Sequence, residues 1–456
     1  MPSVVDLLRQ RVPGMRVLDQ SSEMEAFRYD ETAYIEAGTP LAVCFPRTTE
    51  EVQAVVGAAV ETGTPIVARG AGTGLSGGAV AIDGAITVAF TQMASILEID
   101  TANLTATVQP GVINADLNRA VAEHNLLYPP DPASFEMCTI GGNLAENSGG
   151  LRCVKYGVTR DWVLGLEVVL ADGSVIRTGG KNKKDVAGYD LTGWFVGSEG
   201  TLGLITEATL RLLPLPPPKL TLLAFFATVR DAGRAVALIT AAGLQPVTLE
   251  LMDAFTIAAV DDVHQLGLDR TAGAMLMVES DLAGAAADAE LTGAEEACLS
   301  AGATSTVRAA DAQEADWLRQ ARRAAHGSLE RAGVARMDDV GVPRSRVPEM
   351  IEEIERVAAR QGLPIAVFGH AGDGNLHPNY IVSRDDPDAE RKIDAARDEI
   401  YRAALKLGGT VTGEHGTGIA KKPWLVLQRG ERAVEVMRSI KHALDPEGLL
   451  NPGKVL

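Results

Sequence analysis

Residues 69–78 of this 456-residue chain are Arg-Gly-Ala-Gly-Thr-Gly-Leu-Ser-Gly-Gly, the densest glycine stretch in the sequence. Gly72, Gly74 and Gly77 match the G-x-G-x-x-G pattern of the Rossmann dinucleotide fold, which requires a helix directly after the loop. Residues 79–88 instead predict a turn and then a strand, so we reject a Rossmann domain. Consecutive backbone N–H groups in such a loop can still bind a phosphate, and the alternative is a tight surface turn.

Two further glycine clusters follow the first loop. Residues 139–150 (TIGGNLAENSGG) come shortly after the proline-rich residues 129–132, and residues 193–207 (GWFVGSEGTLGLITE) form the other cluster. Small and polar residues dominate both clusters, so they offer backbone hydrogen bonds and allow close approach to a large flat ligand. Three such clusters favour a ligand-binding role for the first loop over a surface turn.

The composition excludes several classes of protein. Glycine accounts for 47 of 456 residues, about 10% against the usual 7% or so. The 42 Lys and Arg against 60 Asp and Glu give a net charge of −18, which argues against a nucleic-acid binder. The cysteines form no C-x-x-C pair, so we predict no zinc ribbon, redox pair or iron–sulfur cluster. The first residues lack the apolar region of a signal peptide and no apolar run reaches 18 residues, so we expect a cytoplasmic protein.

The order of predicted elements indicates an α+β fold. Residues 1–37 predict a helical lead-in, and a first domain over 38–217 ends at a proline run that blocks helix and sheet pairing alike. Residues 218–410 alternate predicted strands and helices, which favours antiparallel pairing in a second domain. Residues 411–456 predict a C-terminal segment with a helix.

A histidine-containing hairpin is predicted near residue 370. The segment 369–379 reads GHAGDGNLHPN, and its Asp-Gly pair is a strong signal for a two-residue turn. That turn places His370 directly opposite His377, with Cβ atoms about 4.5–5.5 Å apart, and puts Asn379 on the same face. Two such imidazoles can bind one metal ion. A longer loop would break this pairing.

A second motif, TGEHGTG at 412–418, supplies Glu414 and His415. Two histidines and a glutamate are a usual set of protein ligands in an open catalytic metal site. The remaining coordination positions could take a substrate's hydroxyl and carboxylate, with His415 acting as a base. The alternative is a set of hydrogen-bonded turn histidines. We interpret the other four histidines as structural: His124, His264, His326 and His442.

The three glycine clusters, in this order, resemble the FAD-binding domain of the vanillyl-alcohol-oxidase/PCMH flavoprotein superfamily. With the two histidine motifs, the chain resembles the group of glycolate oxidase large subunits, D-lactate dehydrogenases and D-2-hydroxyglutarate dehydrogenases. The resemblance implies a PCMH-type FAD-binding domain, then a ferredoxin-like α+β substrate or cap domain, and a helical C-terminal segment that returns to the flavin.

The resemblance also implies the cofactor contacts. The first loop would hold the pyrophosphate, while the second and third clusters would flank the ribityl chain and flavin ring. The implied FAD-binding residues are Arg69, Gly70, Gly72, Thr73, Gly74, Ser76, Gly77, Pro130, Thr139, Gly142, Asn143, Asn147, Gly150, Glu199, Ile205 and Asn451. No histidine lies in the first loop, where some relatives attach flavin covalently, so we expect noncovalent FAD.

Metal and substrate roles follow from the same resemblance. It implies that a divalent metal, Zn or Mn, is bound by His370, His377 and Glu414, that His415 is the base and that Asn379 contacts substrate. Arg322 aligns with an arginine that binds the substrate carboxylate; Arg319 or Arg323 could be the true match, and the alternative is a surface arginine of a helix. His326 and Met337 depart from the hydroxyglutarate branch, which has a threonine and a lysine there.

The expected function is oxidation of a small D-2-hydroxy acid, D-lactate or glycolate, by hydride transfer to flavin. The electrons would pass to an external acceptor: a quinone, a cytochrome, an electron-transfer flavoprotein or an iron–sulfur subunit. The alternatives are a D-2-hydroxyglutarate dehydrogenase, a flavin subunit active only with an iron–sulfur partner, a non-redox flavoenzyme such as an alkyl-dihydroxyacetonephosphate synthase, and a metal-binding protein without catalysis. The sequence leaves homodimer formation and peripheral membrane association open.

Overall fold

The computed structural model describes residues 3–32, 34–383 and 385–456. The chain forms two compact units. Unit 1 comprises Met1–Gly149, Val158–Leu215 and Glu414–Leu456, and unit 2 comprises Gly150–Gly157 and Pro216–Gly413. The predicted boundaries after residues 217 and 410 lie close to two of these junctions. The sequence did not predict the short excursion at Gly150–Gly157.

The α-helices, numbered in chain order, are α1 (Val4–Arg11), α2 (Ser21–Met24), α3 (Thr49–Thr62), α4 (Asn114–Ala122), α5 (Ile140–Glu146), α6 (Cys153–Tyr156), α7 (Thr192–Phe195), α8 (Val229–Ala241), α9 (Ala254–His264), α10 (Ala285–Ala301), α11 (Ala312–Arg323), α12 (Ala325–Ala332), α13 (Val347–Gln361), α14 (Ala389–Lys406), α15 (Lys422–Arg429) and α16 (Glu431–Leu444).

The strands of unit 1 are β1 (Arg16–Leu18), β2 (Ala42–Phe45), β3 (Ile66–Arg69), β4 (Ile86–Ala89), β5 (Ile96–Asp100), β6 (Thr105–Val108), β7 (Leu126–Leu127), β8 (Val163–Val169), β9 (Val175–Gly179), β10 (Leu204–Arg211) and β11 (Leu213–Pro214). Those of unit 2 are β12 (Leu220–Phe226), β13 (Thr248–Asp253), β14 (Ala274–Ser280), β15 (Ala303–Arg308), β16 (Val334–Met337), β17 (Val340–Gly341), β18 (Ile365–His370) and β19 (Asn375–Val382).

Unit 1 begins with a small sheet in the order β1-β2-β4-β3. Strands β2, β4 and β3 are parallel and almost wholly apolar, as expected of strands covered on both faces. Helix α3 packs its buried valines into the same core. No helix follows the glycine loop after β3, since the next element is β4, so the argument against a Rossmann domain is confirmed.

The prediction of a wholly helical lead-in over 1–37 is wrong in part. Arg16–Leu18 forms the edge strand β1, which pairs antiparallel with β2. Leu18 packs with Val43 and Phe45, and this apolar contact draws the segment onto the sheet edge. Residues 1, 2 and 33 of the lead-in lie outside the described residues.

A second sheet of unit 1 has the order β5-β6-β10-β8-β9 and is antiparallel throughout. Strands β8 and β9 form a hairpin, and the Asp-Gly pair at residues 172–173 is typical of such a turn. Asp172 accepts a hydrogen bond from the Ser174 backbone at its turn, and Gly173 has a positive φ there.

Unit 2 is built on one antiparallel sheet in the order β15-β12-β14-β13-β18-β19-β16, with β17 also paired to β19. Numbered 1 to 4 in chain order, strands β12 to β15 stand in the spatial order 4-1-3-2. Helices α8 and α10 form the crossovers, so these four strands have the ferredoxin-like arrangement. The predicted antiparallel α+β class is confirmed. Helix α9 and strand β16 were not predicted, whereas β19 is the second strand of the predicted histidine hairpin.

The excursion Gly150–Gly157 is held to unit 2 by side chains on α6. Lys155 forms an ion pair with the buried Asp281, and Tyr156 donates a hydrogen bond of 2.5 Å to the same carboxylate. Val154 packs so closely on Gly372 that a Cβ there would lie 2.6 Å from it. The segment therefore braces the turn of the histidine hairpin.

Candidate active site

The first glycine loop starts at a buried arginine. Arg69 ends β3, its guanidinium lies 5.9 Å from the centre of the Phe27 ring, and burial lowers its pKa. Gly72 has a φ of +82°, and a Cβ at this position would overlap the Arg69 guanidinium. The loop therefore folds back over the arginine, which only a glycine permits. Thr73 and Gly74 are half-buried, and Ser76 and Gly77 are buried.

The second cluster forms a short helix that the sequence did not predict. Thr139 caps α5 by accepting a hydrogen bond from the Gly142 N–H at 3.2 Å. A Cβ at Gly70 would overlap Thr139 Oγ1, so the first loop and the start of α5 are in direct contact. These predicted cofactor residues are brought together within unit 1.

Several of the predicted cofactor residues have structural partners. Asn143 accepts a hydrogen bond from the buried Asn114, whose amide also donates to the carbonyl of Pro130. Asn147 ends α5 in the left-handed region and accepts from the Arg160 N–H at 2.8 Å. Ile205 lies in β10, half-buried and next to a bulge, whereas Gly150 is the first residue of the unit 2 excursion.

Glu199, a flavin contact implied by the resemblance, also has hydrogen-bond partners within unit 1. Its buried carboxylate accepts hydrogen bonds from the backbone N–H groups of Thr417 at 2.7 Å and Gly418 at 2.8 Å. Asn451 donates to the carbonyls of both Gly78 and Glu199. Glu199 and Asn451 therefore tie the third and first clusters to the end of the chain, including the segment that carries His415.

Two carboxylates share this part of unit 1. Burial raises the pKa of Glu199 to about 7, although the backbone hydrogen bonds oppose the shift. Burial and the nearby charge of Glu199 raise the pKa of Glu146 well above its usual range. Lys454 donates to the Gly78 and Val80 carbonyls, and burial lowers its pKa to about 8. None of this cluster except Glu199 was singled out from the sequence, because its members come together only through long-range packing.

The predicted register of the histidine hairpin is wrong. His370 pairs with Asn375, and His377 pairs with Phe368, so the loop contains four residues, Ala371–Gly374, and not two. The Gly372 N–H donates to the Leu249 carbonyl of the neighbouring strand, and Gly374 takes a φ of +87°. The packing of Gly372 against Leu249 and Val154 selects this longer turn.

The two histidines nevertheless lie on one face of the sheet. The true register differs from the predicted one by two residues, and side chains in a strand return to the same face every two residues. The ring centres of His370 and His377 are 5.1 Å apart, and both side chains are buried. The predicted pairing of two imidazoles is therefore preserved diagonally across the hairpin.

His370 is held by a residue that sequence reasoning missed. Its Nδ1 lies 2.8 Å from Oε1 of the buried Glu250 on β13. Oε2 of the same carboxylate lies 2.6 Å from Nη2 of Arg322, which is also buried and packs over the Phe368 ring. The only signal in the sequence is one charged residue inside the apolar run 247–252. Arg319, the alternative match, pairs with Glu279 instead.

Asn379 is oriented within the sheet of unit 2. Its amide donates to the His377 carbonyl at 2.8 Å, and its oxygen lies 3.0 Å from Nδ1 of His326. The expectation that His326 has only a structural role is therefore incomplete, because it contacts a predicted substrate residue. Met337 pairs with Asn379 across the strands and packs against the apolar core.

Glu414 follows the last residue of unit 2 by one peptide bond. That last residue, Gly413, donates its N–H to the fully buried Asp339 at 2.6 Å, and Thr412 donates to the same carboxylate at 3.2 Å. His370, His377 and Glu414 remain the residues whose side chains could serve as metal ligands. The next residue, His415, is buried in unit 1, and Glu199 holds the backbone two residues later.

The donor sets fit the groups that the resemblance implies. Two imidazoles and a carboxylate are borderline ligands that suit Zn²⁺ or Mn²⁺. In unit 1, Arg69 Nη1 and Ser76 Oγ are buried without a hydrogen-bond partner among the described residues, and both can donate to a diphosphate.

Comparison with known families defines the class. Residues 40–179 match the FAD binding domain, and residues 215–455 match the C-terminal domain of FAD linked oxidases. The chain belongs to the FAD-linked oxidases and is an FAD-binding oxidoreductase.

Its relatives narrow that class. The chain is 45% identical to the glycolate oxidase subunit GlcD of Bacillus subtilis, over 96% of this chain and 93% of that protein. It is 35% identical to a D-lactate dehydrogenase of Anaerostipes hadrus (100% and 97% covered) and to a D-2-hydroxyglutarate dehydrogenase of Xanthomonas citri pv. viticola (98% and 96%). It is an oxidoreductase of this group, as the sequence motifs predicted.

Solved structures confirm the fold. p-Cresol methylhydroxylase with substrate bound has a TM-score of 0.83 at 19% identity, covering 99% of this chain and 96% of that one. An alkyldihydroxyacetonephosphate synthase has a TM-score of 0.76 at 19% identity, covering 99% and 86%. The predicted PCMH-type fold is confirmed. Among the described residues, no helix is both long and apolar enough to cross a membrane.

Proposed function

We propose that the protein oxidises a small D-2-hydroxy monocarboxylic acid, D-lactate or glycolate, to the corresponding 2-oxo acid. The observation that carries the proposal is the buried pair of imidazoles, His370 and His377, on one face of the unit 2 sheet. We propose that Glu414, which His415 directly follows in sequence, completes the ligand set. The reaction removes a hydroxyl proton and an α-hydride with its electron pair, and the C–O bond becomes a carbonyl. FAD, when bound, supplies the acceptor for the hydride.

His415 is the proposed base for the hydroxyl proton. An imidazole is suited to this task near neutral pH. The three preceding ligands would hold a divalent cation, which polarises a coordinated hydroxyl when bound. Glu199 supports the base by holding the backbone at Thr417 and Gly418.

Arg322 is the proposed partner of the substrate carboxylate. A guanidinium carries five N–H donors in a planar fork, so its ion pair with Glu250 is compatible with a second carboxylate. Asn379 is the proposed second contact, oriented by His326. The FAD contacts named from the resemblance remain proposals, with Arg69 and Ser76 supported by their buried donor atoms.

A monocarboxylate is favoured over hydroxyglutarate because Met337 stands beside Asn379, where the hydroxyglutarate branch has a lysine. An apolar side chain there offers no charge to a second carboxylate. The similarity to a D-2-hydroxyglutarate dehydrogenase keeps that acid as the second candidate.

The electrons would leave through an external acceptor: a quinone, a cytochrome, an electron-transfer flavoprotein or an iron–sulfur subunit. The name of the Bacillus subtilis relative, a glycolate oxidase subunit, supports a partner subunit. The cytoplasmic location stays a prediction from the sequence.

Anaerobic reduction of the flavin tests the proposal. D-Lactate or glycolate should bleach the visible absorbance of the FAD-loaded, metal-loaded protein faster than D-2-hydroxyglutarate or L-lactate does. A chelator should slow the bleaching, and Zn²⁺ or Mn²⁺ should restore it. If the flavin stays oxidised with every 2-hydroxy acid, the proposal is wrong; bleaching only after a partner is added would favour the subunit alternative.

A further inference from the structure

Two buried glutamates of unit 2 face the same helix. Glu250 lies on β13 and Glu279 lies on the neighbouring strand β14, and both carboxylates are at most 1% exposed. Each forms an ion pair with an arginine of α11, Glu250 with Arg322 and Glu279 with Arg319. The arginines are three residues apart, so they project from one side of the helix.

Glu279 lies at the centre of a structural cluster in which both of its carboxylate oxygens have partners. Its carboxylate accepts hydrogen bonds from Arg319 at 2.5 Å, Lys219 at 3.0 Å, Thr221 at 3.1 Å and Thr248 at 2.8 Å. Burial alone would raise the pKa of Glu279, but the two cations outweigh it and the pKa is lowered. Of these partners, only Arg319 was an alternative match for the substrate arginine, and its ion pair with Glu279 engages it in this cluster instead.

Glu250 has different partners. One oxygen lies 2.8 Å from Nδ1 of His370 and the other lies 2.6 Å from Nη2 of Arg322. Both partners are candidate site residues, one for the cation and one for the substrate carboxylate. Both glutamates pair with an arginine of α11, but only Glu250 also contacts a candidate metal ligand, His370.

The contact with His370 has a chemical consequence. A neutral imidazole carries one N–H and one lone pair, and the hydrogen bond at one nitrogen determines which nitrogen can bind a metal. A carboxylate at Nδ1 keeps the proton on that nitrogen and leaves the Nε2 lone pair for a cation. The same carboxylate balances the buried charge of Arg322, which would be unfavourable alone.

We propose that Glu250 is a positioning residue, which sets His370 for a divalent cation and holds Arg322 beside it. This inference rests on the proposed function for its metal site. It also makes a prediction about the cation alone, without substrate or turnover.

Titration of the metal-free, FAD-loaded protein with Zn²⁺ provides the test. Glu250→Gln should weaken Zn²⁺ binding by about ten- to a hundredfold, whereas the matched control Glu279→Gln should leave the affinity unchanged. In a double-mutant cycle with His370→Ala, the Glu250→Gln effect should disappear, because Glu250 acts through that ring. An unchanged affinity in Glu250→Gln, an equal loss in both glutamine variants, or additive effects in the cycle would overturn the inference.

A second variant distinguishes a specific loss of Zn²⁺ affinity from misfolding. Glu250→Gln removes one charge of a buried ion pair, whereas Glu250→Gln combined with Arg322→Met removes both charges of that pair and is expected to fold. The double variant still lacks the carboxylate at Nδ1, so it should show the same loss of Zn²⁺ affinity. If it binds Zn²⁺ like the unaltered protein, the inference is wrong. Failure of the proposed function would appear instead as absent flavin reduction with Zn²⁺ binding intact.

Discussion

The glycine loops of unit 1 and the histidine hairpin of unit 2 are built from different parts of the chain. In the loops most contacts are made by the main chain. Gly418 approaches the Ser76 carbonyl closely, and the Glu199 carboxylate accepts hydrogen bonds from two backbone N–H groups. In the hairpin the contacts are made by side chains, because His370 and His377 share one face and Glu250 lies within hydrogen-bond distance of the His370 ring.

This difference predicts two kinds of sensitivity. Adding a single methyl group to a crowded loop glycine should damage the fold and the cofactor site together. Removing a side chain from the histidine motifs should remove chemistry and leave the fold and the flavin in place. Single-residue variants in the loops and in the histidine motifs test this division.

His415→Ala should produce the largest loss. A positioned general base contributes about 10²–10⁴-fold to a rate, so flavin reduction by D-lactate or glycolate should slow by that factor. The flavin content and the melting temperature should stay near those of the unaltered protein. Stopped-flow absorbance under anaerobic conditions measures the rate, and an unchanged rate would remove His415 as the base.

Gly418→Ala should destabilise unit 1 at the contact between Gly418 and the first glycine loop. Its φ is +47°, and a Cβ would overlap the Ser76 backbone oxygen, which cannot move without the loop. Strain and overpacking together should lower the free energy of unfolding by about 2–4 kcal/mol, with loss of bound FAD. Gly84→Ala is the control, because Gly84 has a φ of +73° and no atom within 4 Å of a Cβ. Equal effects in the two variants would show that crowding is unimportant.

Glu199→Gln should change the pH dependence of stability. The folded pKa of about 7 lies above the ordinary value of 4.5, so the folded state favours the protonated carboxyl. This contribution is fully present below pH 4.5 or so and is lost as the pH rises through about 7. The unaltered protein should therefore lose about 1–3 kcal/mol more than the variant between pH 5 and pH 8. Denaturant unfolding at each pH measures this, and parallel curves would contradict it.

His326→Ala should have the smallest of these effects. It removes the partner of the Asn379 amide oxygen, and a net hydrogen bond is worth about 1 kcal/mol. We expect KM for the hydroxy acid to rise about fivefold with little change in kcat, and His264→Ala, at an exposed position on α9, to change neither. A loss of kcat without a change in KM would assign His326 a different role.

Individual elements show how much of the fold local sequence patterns can predict. The strand after the first glycine loop was predicted from a local pattern and agrees with the structure, in which β4 follows that loop. The short helix α5 was missed because glycines within it are typical of loops. The edge strand β1 was missed because three residues are too few to show a period.

Strand alternation, which can be read from the sequence, was sufficient to predict which side chains share a face of the sheet. His370 and His377 remained together although the register was wrong, because strand geometry repeats every two residues. The register instead follows from tertiary packing, that of Gly372 against Leu249 and Val154. Tertiary packing also brings Glu250 into contact with His370, 120 residues further along the chain. Such contacts depend on the order of strands in a sheet and the placement of helices over it, which no local pattern of residues encodes.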